Sequence, residues 1–334
     1  MGKSILTENL DQRSIFLSLA HGENTARPIA AAITSPLTEE LLNMCGLTWF
    51  SVHKNHESMV KVALVAKSVM GFETARVPFD QCVEAEALGV ELDFEGYYPK
   101  PRRFLEEIQE FNFMGRGRTM MVLQAVRDIR EAFGPDFPIL GGVTGPFTLL
   151  NYLLGPAKTM LLSRRDPNVV KDYADKLSES VANYAMEMVS AGADAIVIED
   201  MASSPDVLNP MVFKTVEVEP LKRLTSMLKV PCILHICGDT LKILKDIPET
   251  GVEVFHIDPK TNLRVAKDLV RGVTLAGGVS TSLLSEGDEK SIAEASLSCI
   301  GLGIRIVAPA CALHPKTPIG NVKTMIKAVK NSAC

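Results

Sequence analysis

The sequence predicts an α/β fold, a closed (β/α)8 TIM barrel with a short N-terminal helical extension. Three observations support this fold class. About eight apolar runs of strand length alternate with helical patterns, the connections are short, and no linker divides the chain into two lobes. An open doubly wound sheet is the alternative, but no Gly-x-Gly-x-x-Gly follows the first strand. We expect residues 1–334 to form a single barrel domain, with residues 1–26 as the N-terminal extension.

The predicted strands are short apolar runs that end at glycine, proline or a polar residue. They are expected at residues 27–33, 73–78, 138–143, 195–198, 232–237, 252–257, 273–275 and 305–307. Helical periodicity predicts helices at 11–20, 38–45, 56–70, 118–133, 168–190, 211–229, 262–270, 290–302 and 319–330. Residues 90–113 are expected to be rich in loops, and a helix over residues 241–247 is expected to lead to the sixth strand.

Helix boundaries follow from capping residues. The first helix is expected to stop at the turn over residues 21–24, and Gly46 ends the second. The longest helix has the clearest boundaries, because Pro167 suits its first position and Gly192 lies just past its end.

The composition is that of a globular protein with a large core. Hydrophobic residues make up 46% of the 334 residues and charged residues only 22%, and the net charge of −5 shows no basic excess that would indicate nucleic acid. The long uncharged run over residues 137–157 contains seven glycines and prolines, which excludes a membrane span. Residues 1–8 lack the apolar core of a signal peptide, and the seven cysteines have no disulfide-like spacing. We therefore expect a cytoplasmic protein with reduced thiols.

Functional groups in such barrels lie where strands become loops, at the carboxyl ends of the strands. Several polar and thiol side chains occupy these junctions: Thr144, Glu199, Asp200, His235, Cys237, His256, Asp258, Ser280, Thr281 and Cys311. Side chains two residues apart on a strand share a face, so His235 and Cys237 point the same way, with Cα atoms roughly 7 Å apart. Cys311 follows after 73 residues, at the end of the eighth predicted strand.

These three residues suggest a metal site. An imidazole and two thiolates are ligands that zinc prefers, and a set of three leaves a fourth position open, as in catalytic zinc sites. Buried structural thiols are the alternative. Zinc with two thiolate ligands is a mild Lewis acid, better suited to holding a substrate thiolate than to making hydroxide, so thiol alkylation is the expected reaction class.

The chain resembles the methylcobamide:coenzyme M methyltransferases of the uroporphyrinogen decarboxylase-like superfamily. The specific part of the resemblance is the His235-x-Cys237 pair with the distant Cys311. The superfamily as a whole is indicated by four further segments, which are the helix and turn before Arg27 and residues 141–148, 277–280 and 317–321.

The resemblance implies that His235, Cys237 and Cys311 bind one zinc ion. It also implies that coenzyme M coordinates through sulfur and takes a methyl group from the methyl-Co(III) of a small corrinoid protein, in methanogenesis from methylated compounds. Related zinc enzymes use a carboxylate from the sixth strand as a further ligand, and Asp258 occupies that place. The parent decarboxylases use arginines after the first strand, but residues 29–36 contain none.

Several alternatives stay open. The acceptor could be another thiol such as homocysteine, the chain could be a decarboxylase-like lyase, or the zinc could be purely structural. Glu199 is a second candidate catalytic residue, since it and Asp200 could position substrate, orient His235 or cap a loop. His256 is expected to be a hydrogen-bonded core histidine. Asp239 is expected to be a helix N-cap.

Three surface features complete the prediction. Residues 115–118 are expected to form a turn before a helix. His314 is expected to be a loop residue. Residues 97–103 could form a lid or ordinary surface. A cation should meet the sulfonate of coenzyme M, although the sequence does not identify it.

Overall fold

The computed structural model describes residues 10–332 and contains eight parallel strands in one curved sheet. Strands are numbered in chain order as β1 (Ile29–Ala30), β2 (Ala75–Val77), β3 (Glu91–Asp93), β4 (Lys100–Arg103), β5 (Ile139–Thr144), β6 (Ala195–Glu199), β7 (Cys232–His235), β8 (Val254–Ile257), β9 (Thr274–Gly277) and β10 (Ile306–Val307). The order in the sheet is β1-β10-β9-β8-β7-β6-β5-β2, and β3 pairs with β4 in a separate antiparallel hairpin. The predicted barrel fold is confirmed.

Helices connect the strands and cover the outside of the sheet. They are α1 (Gln12–Ala20), α2 (Glu39–Cys45), α3 (Trp49–Lys54), α4 (His56–Val65), α5 (Val83–Ala87), α6 (Thr119–Phe133), α7 (Pro146–Leu154), α8 (Pro156–Arg165), α9 (Pro167–Ala191), α10 (Pro210–Val216), α11 (Val218–Ser226), α12 (Leu263–Leu269), α13 (Thr281–Glu286), α14 (Glu289–Gly301) and α15 (Ile319–Asn331). A π-helical turn, Ala66–Met70, extends α4. Among residues 10–332, no helix combines the length and apolar character needed to cross a membrane.

Two helical predictions need correction. Residues 211–229 form two helices rather than one, because Pro220 lacks an N–H and fits only within the first turn of a new helix, α11. Residues 241–247 are mostly turns, and a short 3-10 helix, Ile247–Thr250, follows them. The strands are shorter than predicted, and the hairpin of β3 and β4 lies inside the segment expected to be loop-rich.

The barrel interior is filled by a compact apolar cluster. It contains small and branched side chains from alternate positions of the strands, such as Ala31, Val197 and Ile233. Phe16 and Leu19 of α1 belong to the same cluster, so the N-terminal helix packs onto the barrel interior. The first nine residues of the predicted extension lie outside the described residues. The larger apolar cluster lies between the sheet and the surrounding helices.

The strands β1 and β2 share no ladder of backbone hydrogen bonds, so the barrel is closed there by side chains and by one backbone bond, in which the Glu73 N–H donates to the Ala30 oxygen at 2.9 Å. The Ala30 N–H donates to the Glu73 carboxylate at 3.0 Å, and the Ala32 N–H donates to the Thr74 hydroxyl at 2.8 Å. The buried Glu73 carboxylate also binds Arg27 at 2.8 Å. Glu73 thus replaces a missing strand contact at the seam.

We expect Glu73→Ala to lower the free energy of unfolding by about 2–3 kcal/mol, because it leaves a buried N–H without an acceptor. Glu73→Gln keeps an acceptor oxygen and should lose about half as much. Urea unfolding measures both effects. The control is Glu91→Ala, which removes only exposed ion pairs and should cost less than about 1 kcal/mol. Equal losses for Glu73→Ala and Glu91→Ala would contradict a role for Glu73 in closing the barrel.

Candidate metal centre and adjoining pocket

The strand register aligns several predicted site residues in one row. Thr144 on β5 pairs with Glu199 on β6, Glu199 pairs with His235 on β7, and His235 pairs with His256 on β8. All four are at or next to the carboxyl ends of their strands, where a barrel presents its functional groups.

The structure brings His235, Cys237 and Cys311 together. The distance from His235 Nε2 to Cys237 Sγ is 3.1 Å, and the distance between the two sulfur atoms is 3.2 Å. One donor atom from each residue lies within 4.8 Å of the other two. His235 is buried, while the two cysteines are partly accessible. Three soft-metal donors therefore converge at the mouth of the barrel.

The contact between His235 Nδ1 and a backbone oxygen leaves Nε2 of the same ring available to a metal. Its Nδ1 lies 3.3 Å from the backbone oxygen of His256. Because a carbonyl only accepts, Nδ1 carries a proton, and Nε2, on the side of Cys237, is the nitrogen that could bind a metal. A metal-binding histidine usually donates its other ring N–H to a carbonyl or carboxylate in this way.

Two distances between the donor atoms are close to the ligand–ligand distances around a zinc ion. Tetrahedral zinc with typical bond lengths separates its ligand atoms by roughly 3.5–3.8 Å. The two contacts at 3.1 and 3.2 Å are a little shorter, so the donors need to separate by only about half an ångström.

Proton sharing within the cluster changes the acidity of its members. The hydrogen bond from Cys237 lowers the pKa of Cys311 well below its usual value, and the same contact raises the pKa of Cys237. Burial alone would lower the pKa of His235, but the contact with Cys311 and nearby negative charge outweigh it and raise the pKa. One thiolate is therefore stabilised even before a cation is considered.

His256 is a hydrogen-bonded core histidine, as its apolar strand indicated. Its Nε2 donates to the backbone oxygen of Pro309 at 3.0 Å, two residues before Cys311. Burial, followed by the neighbouring His235, lowers the pKa of His256 well below its usual value, so the ring stays neutral. His256 thus links β8 to the loop that carries Cys311.

Asp258 lies at the end of β8 and binds the loop after Cys237. Its Oδ2 accepts the Gly238 N–H at 3.0 Å, and its Oδ1 accepts the Lys260 N–H at 2.9 Å. Gly238 has a φ of 85°, and a Cβ there would lie 2.2 Å from the Asp206 carboxylate. Asp258 is not in the group of donor atoms within 4.8 Å of one another. The geometry favours a positioning role over direct ligation.

Glu199 is held at the barrel mouth by two hydrogen-bond donors, of which Arg76 carries the opposite charge. Arg76 Nη2 donates to its Oε1 at 2.6 Å, and Gln81 donates to its Oε2. Arg76 also donates to the backbone oxygens of Ile33 and Pro78. A Cβ at Gly142 would lie 1.6 Å from the Arg76 guanidinium, so only glycine leaves room for this pair. Sequence reasoning missed Arg76, because it is 123 residues from Glu199.

Asp200 points away from the metal centre and forms a buried carboxyl pair. Its Oδ1 accepts from the Thr148 N–H at 2.8 Å and from the Thr148 hydroxyl at 2.6 Å. Burial, followed by the charge of Asp200 and a hydrogen bond to it, raises the pKa of Glu217 well above its usual value. The raised pKa favours the neutral, protonated form of the buried Glu217 side chain.

The remaining predicted residues have structural roles. Asp239 accepts from the Leu241 N–H, Ser280 caps α13, and His314 accepts from the Lys316 N–H. Thr144 binds Glu84 through its N–H and its hydroxyl. Thr281 is the first residue of α13. The segment before α6 is no anion loop, because Arg118 is buried and binds Asp80 at 2.7 and 3.0 Å.

A cavity of about 210 Å³ adjoins the donor cluster. Cys311 forms part of its wall, so the cavity opens directly onto one of the three donors. Its lining also includes Glu199 and Met201 and the hydroxyl-bearing residues Ser35, Tyr98 and Tyr152. Its size suits a small molecule of a few heavy atoms whose reactive atom meets Cys311.

The fold and the site define a class: a parallel α/β barrel with a His/Cys/Cys centre and a small-molecule cavity at the carboxyl ends of its strands. The family model described as Uroporphyrinogen decarboxylase (URO-D) matches residues 11–332. The chain belongs to this family.

Individual relatives refine the comparison. The chain is 31% identical to the "Methylcobamide:CoM methyltransferase MtaA" of Methanosarcina barkeri, over 94% of this chain and 96% of the relative. It is 28% identical to the "Methylcobamide:CoM methyltransferase MtbA" of Methanosarcina acetivorans, over 98% and 99%.

A solved structure described as a methyltransferase from Methanosarcina mazei matches with a TM-score of 0.93 and 29% identity, over 98% of this chain and all of that one. The resemblance drawn from the sequence is confirmed, and so is the prediction of an enzyme of the methyltransferase class.

Asp258 variants test the positioning role. We expect Asp258→Ala to weaken zinc binding by about tenfold or more, because the loop carrying Cys237 loses its anchor. Asp258→Asn keeps an oxygen acceptor for Gly238 and should bind zinc within about threefold of the wild type. Competition with a chromophoric chelator measures both affinities. If Asn weakens binding as much as Ala, Asp258 acts as a ligand instead.

Glu217→Gln tests the raised pKa of Glu217. The pKa of Glu217 is raised in the folded state, so its contribution to stability is complete below about pH 4.5 and is lost as the pH rises towards the folded-state value. The wild type should therefore lose up to about 1.4 kcal/mol per pH unit relative to Glu217→Gln over that interval. Urea unfolding between pH 5 and pH 8 measures the difference. Parallel pH profiles would contradict the raised pKa.

Proposed function

We propose that this protein transfers a methyl group from a methylated corrinoid protein to the thiol of coenzyme M, with one zinc ion bound by His235, Cys237 and Cys311. The observation that carries the proposal is the position of Cys311, which belongs both to the donor cluster and to the wall of the cavity. The printed names of the relatives, which pair methylcobamide with CoM, support this donor and this acceptor. Such a transfer would serve methanogenesis from methylated compounds.

The chain's own residues prepare the site for a thiol. His235 would supply Nε2 to the metal, and the His256 carbonyl keeps its ring oriented. His256 and Asp258 hold the two loops that carry the cysteines. Zinc bound by one imidazole and two thiolates lowers the pKa of a coordinated thiol while leaving the sulfur nucleophilic.

The transfer balances without a further reactant. The acceptor thiol releases its proton, and its sulfur forms a bond to the methyl carbon. The cobalt–carbon bond breaks, and the electron pair stays with cobalt, which leaves as Co(I). The cavity beside Cys311 would admit the acceptor, while the open mouth of the barrel faces the corrinoid. Glu199, fixed by Arg76, would form the wall opposite the incoming thiol.

A lyase acting on a porphyrin-like substrate is less well supported. Residues 29–36 contain no arginine, and the buried Arg76 is paired with Glu199 and donates to two carbonyl oxygens. No cation lines the described part of the cavity to meet several carboxylates. A different acceptor thiol keeps the same chemistry, and comparing thiols distinguishes it.

Cysteine variants test the metal centre. We expect Cys237→Ala and Cys311→Ala to lose stoichiometric zinc, because two donors hold the ion far less tightly than three. Demethylation of free methylcobalamin by coenzyme M, followed by the change in the cobalamin spectrum, should fall by about a hundredfold or more.

Cys232→Ala is the matched control, because Cys232 lies on the same strand but its Sγ faces the backbone oxygen of Val230. Its zinc content and rate should equal those of the wild type. Unchanged metal content and activity in the Cys237 and Cys311 variants would exclude the proposal. If zinc removal melts the barrel and no thiol demethylates methylcobalamin, a structural ion is favoured instead.

A further inference from the structure

The cavity that Cys311 lines also contains two hydroxyl groups that face each other. Ser35 Oγ and Tyr98 Oη are 3.2 Å apart. Ser35 is buried, Tyr98 is half-buried, and both line the cavity. The backbone oxygen of Ser35 accepts from the Leu313 N–H at 3.0 Å, which ties this wall to the loop carrying Cys311. The hydroxyl pair and the metal donor are therefore parts of one framework.

One hydroxyl proton of this pair is not used in the hydrogen bond between Ser35 and Tyr98. Two hydroxyls carry two protons, and their mutual hydrogen bond uses one of them. Neither hydroxyl has another hydrogen-bond partner among residues 10–332. Burial raises the pKa of Tyr98, so its proton is retained at working pH. At least one O–H is free to donate to a bound molecule.

The charged groups around the cavity are already paired. Glu199 is neutralised by Arg76, whose Nε, Nη1 and Nη2 each donate a hydrogen bond. Asp80 accepts from Arg118 and contacts His53, which together hold the pKa of Asp80 well below its usual value although burial alone would raise it. The described lining contains no Lys, Arg or His. The cation that the sequence analysis expected to meet the sulfonate is therefore not among the described residues that line this cavity.

We propose that Ser35 and Tyr98 form the subsite for the anionic tail of the acceptor thiol, so that a sulfonate is held by neutral hydroxyl donors rather than by a cation. This inference rests on the proposed function, because it takes the sulfur end of the same molecule to lie at Cys311. Sulfonate oxygens are weak bases that accept hydrogen bonds without needing a proton. Hydroxyl donors therefore suit them, and the paired carboxylates nearby add little repulsion.

Tyr98→Phe removes one oxygen and leaves the ring packed against Trp49. With zinc-loaded protein and free methylcobalamin, we expect the KM for coenzyme M to rise about tenfold or more while kcat changes little. The KM for ethanethiol, which has the same carbon skeleton without the sulfonate, should stay within about twofold of the wild type. Ser35→Ala should shift the KM in the same direction.

Tyr97→Phe is the matched control. The Tyr97 hydroxyl donates to Glu39 at 2.9 Å and does not line the described cavity. This variant should keep the wild-type KM for both thiols. Melting temperatures within a few degrees of the wild type confirm that each variant is folded. If Tyr98→Phe raises the KM for coenzyme M and ethanethiol equally, or changes neither, the subsite is wrong.

Binding of ethanesulfonate separates this inference from the proposed function, since this probe has the tail but no thiol. Saturation-transfer NMR should detect ethanesulfonate on the wild type and on Tyr97→Phe, with the signal reduced severalfold on Tyr98→Phe and Ser35→Ala. If no thiol demethylates methylcobalamin but this pattern holds, the subsite stands and the proposed function fails. Equal ethanesulfonate signals on all four proteins would overturn the subsite.

Discussion

The structure of the site depends on one chain of hydrogen bonds that fixes three soft donors in place. The His235 ring donates to the His256 backbone oxygen, and the His256 ring donates to the Pro309 oxygen, two residues before Cys311. Strand β7, strand β8 and the loop after β10 are joined in this way. Donors 74 positions apart in the sequence therefore lie 3.2 Å apart in space, and Nε2 is the His235 nitrogen that could bind a metal with them.

The barrel makes this convergence possible because its strands share one register. A row of paired residues runs from β5 to β8 through Glu199 and His235, so groups from separate strands reach the same level. The seam between β1 and β2 has no strand ladder, and Glu73 bridges it to Ala30 through both its N–H and its buried carboxylate. The same seam borders the cavity, since Ser35 follows β1 and Asp80 follows β2. The strands that meet at this seam therefore also lead into residues that line the acceptor cavity.

Much of the metal centre could be predicted from residue spacing and strand order in the sequence. A period of two placed His235 and Cys237 on one face, and counting eight strands put Cys311 at the same end of the barrel. The partners that hold Glu199 and the hydroxyl pair were not predictable. Arg76 is 123 residues from Glu199, and Tyr98 is 63 residues from Ser35, in a segment that periodicity indicated only as loop. Such contacts depend on tertiary packing, which leaves no local pattern in a single sequence.

The most direct test of the central claim is X-ray absorption at the zinc edge of the purified protein, with and without coenzyme M. The account predicts one zinc ion with two sulfur ligands and at least one nitrogen ligand, and a third sulfur at about 2.3 Å when coenzyme M is added. A coordination sphere that gains no sulfur, or one that never contained two, would contradict it.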